Sequence, residues 1–366
     1  MLKSKDINAK KTNKLIYISS IDPQRSPGVG NKIKGTLDAA NHIGYSVDWI
    51  NVIPEYEFLK KISQEIDQVN AEVLILRSIC QYNFYLIPAI FRAKKRGIKL
   101  IIDVPTPNGT AIRELLKSSS PIFRKIKDLI YLIVSGPIPY WFTSGILQYS
   151  IENTWFLLGN RSKTRLVGNG INVSAIPLRL QVPEFTGDRL DLICVASLNY
   201  WHGIDRLISV ISILNSDNRK LKIYLKIVGK GAVFNQLKSQ VEELNLSEYI
   251  QFLGFLKGEE LYSQYSTAHL AVGSLALFRK QLSTASELKS REYCALGIPF
   301  IAVGEDPDFG KDAKFRIQLS NEESLEDMIQ FFKNFNPEQI NFSPEEIRAY
   351  AEQHLDFSVK IAQILQ

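Results

Sequence analysis

Residues 191–229 read DLICVASLNYWHGIDRLISVISILNSDNRKLKIYLKIVG, two short apolar runs with an amphipathic helical pattern between them. Runs rich in Ile, Val and Leu are typical of strands that are buried on both faces of a parallel sheet. A connection of this length accommodates a crossover helix. The segment therefore predicts a βαβ unit, which is the building block of a doubly wound α/β domain.

The same alternation of apolar runs and helical patterns continues on both sides of this unit. IQFLGF, HLAVGSL and PFIAVG follow it, and an earlier set is formed by KLIYISSI, SVDWINV, AEVLILRS, IKLIIDVP, GILQYS and TRLVGNGI. The segment PQRSPGVGNK, which follows the first strand, reads as a Gly/Pro loop. The pattern thus restarts once along the chain.

A chain of 366 residues is long enough for two such domains. We expect two Rossmann-like, doubly wound parallel-sheet domains with a cleft between them. The N-terminal domain spans 1–175 and the C-terminal domain spans 176–350. A C-terminal helix over 351–366 is expected to pack back on the N-terminal domain.

The charge of the chain is unevenly distributed. Residues 1–170 hold 24 of the 44 Lys and Arg and 13 of the 38 Asp and Glu, a balance of +11, which leaves −5 for the remainder. A basic half favours an anionic partner, either a phosphate-bearing substrate, an anionic membrane surface or nucleic acid. Nucleic acid is disfavoured because the basic residues lack interleaved aromatics. The alternative is a chance scatter of surface lysines.

The cysteines and histidines predict no metal or disulfide chemistry. Cys80, Cys194 and Cys294 lie far apart in apolar runs, which is typical of buried, reduced thiols in a cytosolic protein. The four histidines show no metal-binding spacing. The polar N-terminus also lacks an apolar signal core, so we expect a cytoplasmic protein.

An uncharged run at 129–151 has the length of a membrane span, but Gly136, Pro137 and Pro139 interrupt it. The run contains aromatic residues that favour lipid headgroups: Tyr131, Tyr140, Trp141 and Phe142. Two basic clusters precede it: Arg92, Lys94, Lys95 and Arg96, and then Arg124, Lys125 and Lys127. We expect reversible docking on the inner face of the plasma membrane without a span. The alternative is that 129–149 is core helix and strand.

Loops at predicted strand ends carry the candidate chemistry, because ligands of open α/β sheets bind there. In VGKG, Gly229 and Lys230 lie between a predicted strand and a predicted helix, whose N-terminus is suited to bind a phosphate. In SLNYWHGIDRLI, His202 is placed to donate to a phosphate or a sugar hydroxyl. Each has a plain structural alternative, a tight turn in the first loop and a packed cap in the second.

The strongest pattern is ALFRKQLSTASELKSREYCALGIP at 276–299. A serine-rich loop feeds a predicted helix, with Ser286 as its N-cap, and Glu292 lies one turn inside. The basic residues around the loop predict a pocket for a diphosphate: Arg279, Lys280, Lys289 and Arg291. Glu292 would accept hydrogen bonds from a sugar diol. The alternative is a solvated, charged helix.

These motifs resemble the retaining glycosyltransferases of family four, also called group 1, which have the GT-B architecture and serve bacterial polysaccharide assembly. The resemblance runs through WHGIDRLI, IVGKG, IQFLGFLKGEELYSQYSTAHLAV and LKSREYCALGIPFIAVG. It implies a nucleotide-diphospho-sugar donor, a hexosyltransferase-type reaction with retention, and neither metal nor cofactor. Carried over by position, Glu292 would bind the donor ribose, and Gly28, Gly30 and Lys32 would form an N-domain loop near the diphosphate and acceptor.

The chain departs from the family pattern at several positions. The family has two glutamates eight positions apart, and Thr284 stands where the first would be. Ser197 and His202 replace the family's Arg and Lys, so we expect other cations of the 276–299 loop to compensate. Asp103, after IKLIIDVP, is the nearest polar residue to the missing N-domain histidine. The alternative for Asp103 is an ordinary strand-end cap. The candidate catalytic residues are therefore Glu292, Thr284 and Asp103.

The expected function is transfer of a sugar to a glycan or a lipid-diphosphate-linked acceptor, in the synthesis of capsule, exopolysaccharide or O-antigen. Two alternatives stay open. One is a catalytically silent partner subunit that binds a nucleotide or a glycan. The other is a nucleotide-sugar epimerase of the same fold, which would need a set of carboxylate and histidine side chains in the cleft.

Overall fold

The computed structural model describes residues 13–22, 27–79, 84–118, 120–179, 181–217 and 220–366. The chain divides into two compact units. The first comprises Met1–Gln148, Glu152–Arg165 and Leu365, and the second comprises Tyr149–Ile151, Leu166–Ile364 and Gln366.

The N-terminal unit is built on one six-stranded sheet. Its strands are β1 (Lys14–Ser19), β2 (Ser46–Asn51), β3 (Val73–Arg77), β4 (Lys99–Val104), β5 (Gly145–Gln148) and β6 (Thr164–Leu166). Its helices are α1 (Pro27–His42), α2 (Phe58–Gln68), α3 (Ile87–Lys95), α4 (Asn108–Lys117) and α5 (Ile122–Ile130). The strand order is β2-β1-β3-β4-β5-β6, and the pairs β1–β2, β1–β3, β3–β4 and β4–β5 are parallel.

The C-terminal unit repeats this architecture. Its strands are β7 (Arg189–Val195), β8 (Lys222–Val228), β9 (Ile250–Gly254), β10 (Leu270–Val272), β11 (Phe300–Val303) and β12 (Arg316–Leu319). Its helices are α6 (Ile204–Ser216), α7 (Phe234–Glu243), α8 (Gly258–Tyr265), α9 (Leu288–Leu296), α10 (Glu326–Lys333), α11 (Pro344–His354) and α12 (Phe357–Leu365). The strand order is β12-β11-β10-β7-β8-β9, so the direction of winding reverses between β7 and β10.

The central strand β7 shows why the apolar runs are continuous. Leu192 and Cys194 pack into the core on one face of the sheet, and Ile193 packs into the core on the other. A parallel sheet covered by helices on both faces requires this pattern. The predicted fold class, two Rossmann-like doubly wound domains, is confirmed. Cys194 and Cys294 are buried free thiols, whereas Cys80 lies outside the described residues.

The first helix begins earlier than the sequence predicted. Gly28, Gly30 and Lys32 lie within α1, not in a loop, so the expectation of a glycine loop here was wrong. Proline at the first position of a helix has a suitable φ and loses no intrahelical bond, so Pro27 does not oppose the helix. Ile33 and Leu37 are buried on one face of α1. The burial of this apolar face stabilises the helix more than the glycines destabilise it.

The uncharged run at 129–151 is largely core. After α5 the chain makes a π turn at Tyr131–Ser135 and a 3-10 turn at Ile138–Phe142 before entering β5. Tyr140, predicted at the headgroup level, is 0% exposed and packs with Ile146 in the core. Among the described residues, no helix combines the length and the apolar character that crossing a membrane requires.

The C-terminal segment is two helices and not one helix over 351–366. Asp356 separates α11 from α12, and its carboxylate has two backbone partners. It accepts the N–H of Ser358 at 2.9 Å as the N-cap of α12, and the N–H of Val173 at 3.1 Å. A capping aspartate ends one helix and starts the next.

Candidate functional site

Helix α9 starts beside the reversal point of the C-terminal sheet. Its N-cap is Glu287, whose side chain makes no capping bond, so the prediction of Ser286 as N-cap was wrong by one residue. Ser286 is instead held by Asn169, whose backbone N–H donates to Ser286 Oγ and whose Nδ2 donates to Ser286 O, both at 2.6 Å. With no side-chain cap, the first N–H groups of α9 are available to an anion.

Lys289, in the first turn of α9, provides a cation at the same place. Its Nζ is buried and has no hydrogen-bond partner among the described residues. Burial raises the pKa of the Cys194 thiol, near the end of β7, and the positive charge of Lys289 acts in the opposite direction. An unpaired ammonium is costly to bury, so this position favours an anionic ligand that would pair with it.

His202, in the loop after β7, lies in the field of that lysine. Burial, together with the positive charges of Lys289 and Lys280, lowers the pKa of His202 to about 2. Its Nδ1 is 3.2 Å from the backbone N–H of Asn199 and accepts from it, which assigns the proton to Nε2. His202 is therefore a neutral hydrogen-bond donor and not a cation.

Arg279 and Lys280, two further predicted cations, are engaged elsewhere. Arg279 forms a bidentate pair with Asp205 on α6, at 2.9 and 2.6 Å, and also donates to the carbonyl of Tyr200. The Nζ of Lys280 lies 4.6 Å from the ring centre of Trp201. Of the four predicted cations, Lys289 is the one whose charged atom is buried without a partner in the described part of the chain.

The VGKG turn holds two loops of the C-terminal unit together. Gly229 has a φ of +124°, and a Cβ there would lie 2.0 Å from the carbonyl oxygen of Ala196. A Cβ on Gly231 would lie 2.2 Å from that of Leu198. Close backbone contact therefore accounts for both glycines without a phosphate. The Lys230 side chain is exposed.

Glu292 lies three residues beyond Lys289, so the two side chains share a face of α9. Burial raises the pKa of Glu292, and the nearby Tyr265 hydroxyl opposes this shift. That hydroxyl nevertheless makes no hydrogen bond within the described residues. The carboxylate is thus partly desolvated, one turn from the uncapped helix start, in a position suited to accept bonds from ligand hydroxyls.

Thr284 is 2% exposed, and its hydroxyl has no hydrogen-bond partner among the described residues. Its backbone forms a bridge with Glu305, after β11. Glu287 does not take the place of the missing glutamate, because its Oε2 accepts the backbone N–H of Ser274 at 3.0 Å. Buried hydroxyl groups usually form a hydrogen bond, so a ligand is expected to supply the partner of the Thr284 hydroxyl.

The sequence predicted Arg291 among the cations of the diphosphate pocket, but in the structure Arg291 anchors α9 through two aspartates. Tyr293 is a second anchor, with little signal in the sequence. Arg291, 0% exposed, makes a salt bridge to Asp306 and another to Asp308 at 2.7 Å, and donates to the carbonyl of Asn169 at 3.1 Å. Two residues further on, the Tyr293 hydroxyl accepts the N–H of Val195 at 3.2 Å and donates to the carbonyl of Val272 in strand β10 at 3.1 Å. The tyrosine thus joins β7 and β10 at the reversal point.

In the N-terminal unit, Asp103 lies at the carboxyl end of β4 and is buried. It accepts hydrogen bonds from Tyr17 and from Arg77, the latter at 3.1 Å, and Lys32 Nζ lies 3.8 Å from its other oxygen. Burial lowers the pKa of Lys32 to about 7, against the attraction of Asp103. Asp103 therefore organises a buried cluster at the sheet edge. Gly28 and Gly30 lie on α1 near Lys32.

In the described residues, no three His, Cys, Asp or Glu side chains are grouped closely enough to hold a metal ion.

Comparison with known proteins agrees with this geometry. The family model described as "Glycosyl transferases group 1" matches residues 179–307, the part that contains α9 and the loops around it. The sequence matches none of the curated proteins.

Several solved structures are similar over nearly the whole chain. Sucrose-phosphate synthase from Thermosynechococcus elongatus is 12% identical, with a TM-score of 0.65, covering 96% of this chain and 98% of that one. Anabaena HepE in complex with UDP and glucose is 13% identical, with a TM-score of 0.61 and the same coverage. The lipopolysaccharide outer core galactosyltransferase WaaB is 11% identical, with a TM-score of 0.62, covering 96% and 99%. The predicted resemblance to group 1 glycosyltransferases and the GT-B architecture are confirmed.

Proposed function

We propose that this group 1 glycosyltransferase moves a hexose from a nucleotide-diphospho-sugar to a glycan or lipid-diphosphate-linked acceptor, with retention of configuration. The supporting observation is the buried Nζ of Lys289, which has no partner among the described residues and lies beside the uncapped start of α9. A diphosphate is the ligand that pairs this charge and fills the helix N-terminus at once.

The donor is held by groups of the C-terminal unit. Lys289, the N–H groups of α9 and the Nε2–H of His202 bind the diphosphate, and Glu292 accepts the ribose hydroxyls. As the bond from the sugar C1 to the phosphate oxygen breaks, these groups stabilise the charge that develops on the leaving diphosphate. The acceptor hydroxyl forms its bond to C1 on the same face, and its proton passes to the departing phosphate. The residues near Asp103, with Lys32, are candidates for acceptor contacts.

The cellular setting we propose is the cytoplasmic side of polysaccharide assembly. Buried Cys194 and Cys294, unpaired in the structure, suit a reducing compartment. A lipid-diphosphate acceptor suits the basic N-terminal half, with its balance of +11.

A nucleotide panel tests the donor site. Thermal unfolding is measured with UDP, GDP, dTDP, CMP and ADP, and with the matching nucleosides as controls. One nucleoside diphosphate should raise the melting temperature, and its nucleoside should not. A free ligand concentration of about 100 times Kd stabilises the folded protein by about 2.7 kcal/mol. If no diphosphate shifts the transition, the site does not bind a donor. Release of nucleoside diphosphate from the matching donor then separates an enzyme from a silent partner subunit.

Thr284→Val tests whether the orphaned hydroxyl faces the donor sugar. The variant keeps the shape of the side chain and removes a buried polar atom that has no partner among the residues the structure describes. The ligand-free protein should therefore be equally or more stable. If the hydroxyl bonds to the sugar, kcat/KM for the donor should fall by roughly 5- to 10-fold, which corresponds to one neutral hydrogen bond of about 1 kcal/mol. Affinity for the free nucleoside diphosphate should not change. Unchanged kcat/KM would mean that Thr284 does not contact the sugar.

A further inference from the structure

Helix α5 carries an exposed apolar stripe. Phe123 is 84% exposed and Ile122 is 64% exposed, and Ile126 and Ile130 are exposed as well. At about 3.6 residues per turn, these four side chains fall within a sector of roughly 100°. A large aromatic and three isoleucines on one open face of a short helix form a surface that favours an apolar environment.

Lysines border this stripe on both sides. By helical position, Lys125 lies beyond one edge of the sector and Lys127 beyond the other. Lys125 Nζ donates to the carbonyl of Leu116 at 3.0 Å, and the exposed Leu116 side chain extends the apolar surface to the end of α4. Arg124 lies on the opposite side of the helix by position, and its guanidinium lies 3.7 Å from the buried carboxylate of Asp128. Lys127 Nζ lies 3.9 Å from the other oxygen of that carboxylate, and its side chain is exposed, so it can turn to a headgroup phosphate.

An aromatic cluster lies where α5 passes into the π turn. The hydroxyl groups of Tyr85 and Tyr131 are 2.9 Å apart, and the ring of Phe84 is 6.3 Å from that of Tyr131. Phe84 and Tyr85 are exposed. Aromatic side chains with polar tips are suited to the headgroup region of a bilayer.

We propose that α5 docks flat on an anionic lipid bilayer, with Phe123 and the isoleucines at the boundary of the acyl chains and with Lys125 and Lys127 at headgroup phosphates. The surface, which we call the α5 stripe, comprises Leu116, Ile122, Phe123, Ile126 and Ile130. Apart from Ile130, it lies just upstream of the run 129–151 from which the sequence predicted docking.

Lipid fits the α5 stripe better than a protein does. The core of a protein interface is depleted in lysine, whereas an interfacial helix places its basic residues along the borders of its apolar face. The excess positive charge of residues 1–170 adds long-range attraction to an anionic surface. Docking does not depend on the donor site, so it can be tested apart from the proposed function.

Vesicle co-sedimentation of the full chain tests this proposal, using phosphatidylcholine with and without phosphatidylglycerol at low and high salt. We expect binding to the anionic vesicles at low salt and weaker binding at high salt. Phe123→Ser should reduce the partition coefficient by about 10-fold or more. The double variant Lys125→Gln, Lys127→Gln should reduce it by roughly 5-fold for each charge that is removed. The bound protein should be released by carbonate.

The C-terminal unit offers matched controls. Phe255→Ser removes an exposed phenylalanine and Lys238→Gln an exposed lysine, and both variants should bind vesicles as the parent does. The melting temperature of each variant reports folding. Equal binding to neutral and anionic vesicles, or no loss in Phe123→Ser, would overturn the proposal. So would a dimer in size-exclusion chromatography that Phe123→Ser dissociates, because a second copy would then cover the stripe.

Discussion

Replacing Lys289 with methionine should weaken binding of the nucleoside diphosphate by about 10- to 100-fold. A charge-assisted contact of this kind contributes about 1.5–3 kcal/mol. Methionine keeps the length of the apolar stem, so packing around α9 should survive. Because the variant also removes a buried ammonium that has no partner among the described residues, the ligand-free protein should be at least as stable as the parent.

Titration calorimetry with the nucleotide identified by the thermal panel measures the loss, and kcat/KM for the donor should fall in proportion. Lys238→Met, on the exposed face of α7, is the matched control and should change neither quantity. Equal affinities of the Lys289 variant and the parent would place the diphosphate elsewhere. Loss of both stability and binding would instead assign Lys289 a structural role.

The fold could be predicted from sequence because its signal is local and repeated. The continuous apolar run of β7 is dictated by burial on both faces of a parallel sheet. The start of α1 was mispredicted for a similarly local reason, since Gly28 and Gly30 were read as loop formers. The periodic burial of Ile33 and Leu37 outweighs the intrinsic cost of those glycines.

The candidate site was predictable as a region but not as a set of contacts. The loop before α9 was found because a basic, serine-rich segment precedes a helix. Which of its cations is available could not be read from spacing, because Arg279 is neutralised by Asp205 from a different helix. The position of Ser286 just before the helix predicts a cap, because its actual partner, Asn169, lies more than a hundred residues earlier and leaves no local pattern. Tertiary partners of this kind leave no periodic trace.

Helix α9 is held in place by Arg291, so this residue should have the largest effect on stability. Burial alone would lower the pKa of Arg291, but Asp306 and Asp308 raise it above its ordinary value. Asp308 is also paired with Lys360 of α12, so the network joins α9 to two other segments. Removing the guanidinium leaves buried carboxylates without their main counterion.

Arg291→Met should therefore destabilise the C-terminal unit by about 3–5 kcal/mol, the usual cost of breaking a buried ion pair from one side. Denaturant unfolding measures the loss. Arg92→Met is the matched control, since Arg92 forms an equally bidentate but exposed pair with Asp67, and its loss should change the stability far less than the loss of Arg291 does. Adding Asp306→Asn to Arg291→Met should recover part of the stability, because the stranded charge is then removed. If the double variant is no more stable than Arg291→Met, the cost arises from lost packing or from the bond to Asn169, and the charge network is not what anchors α9.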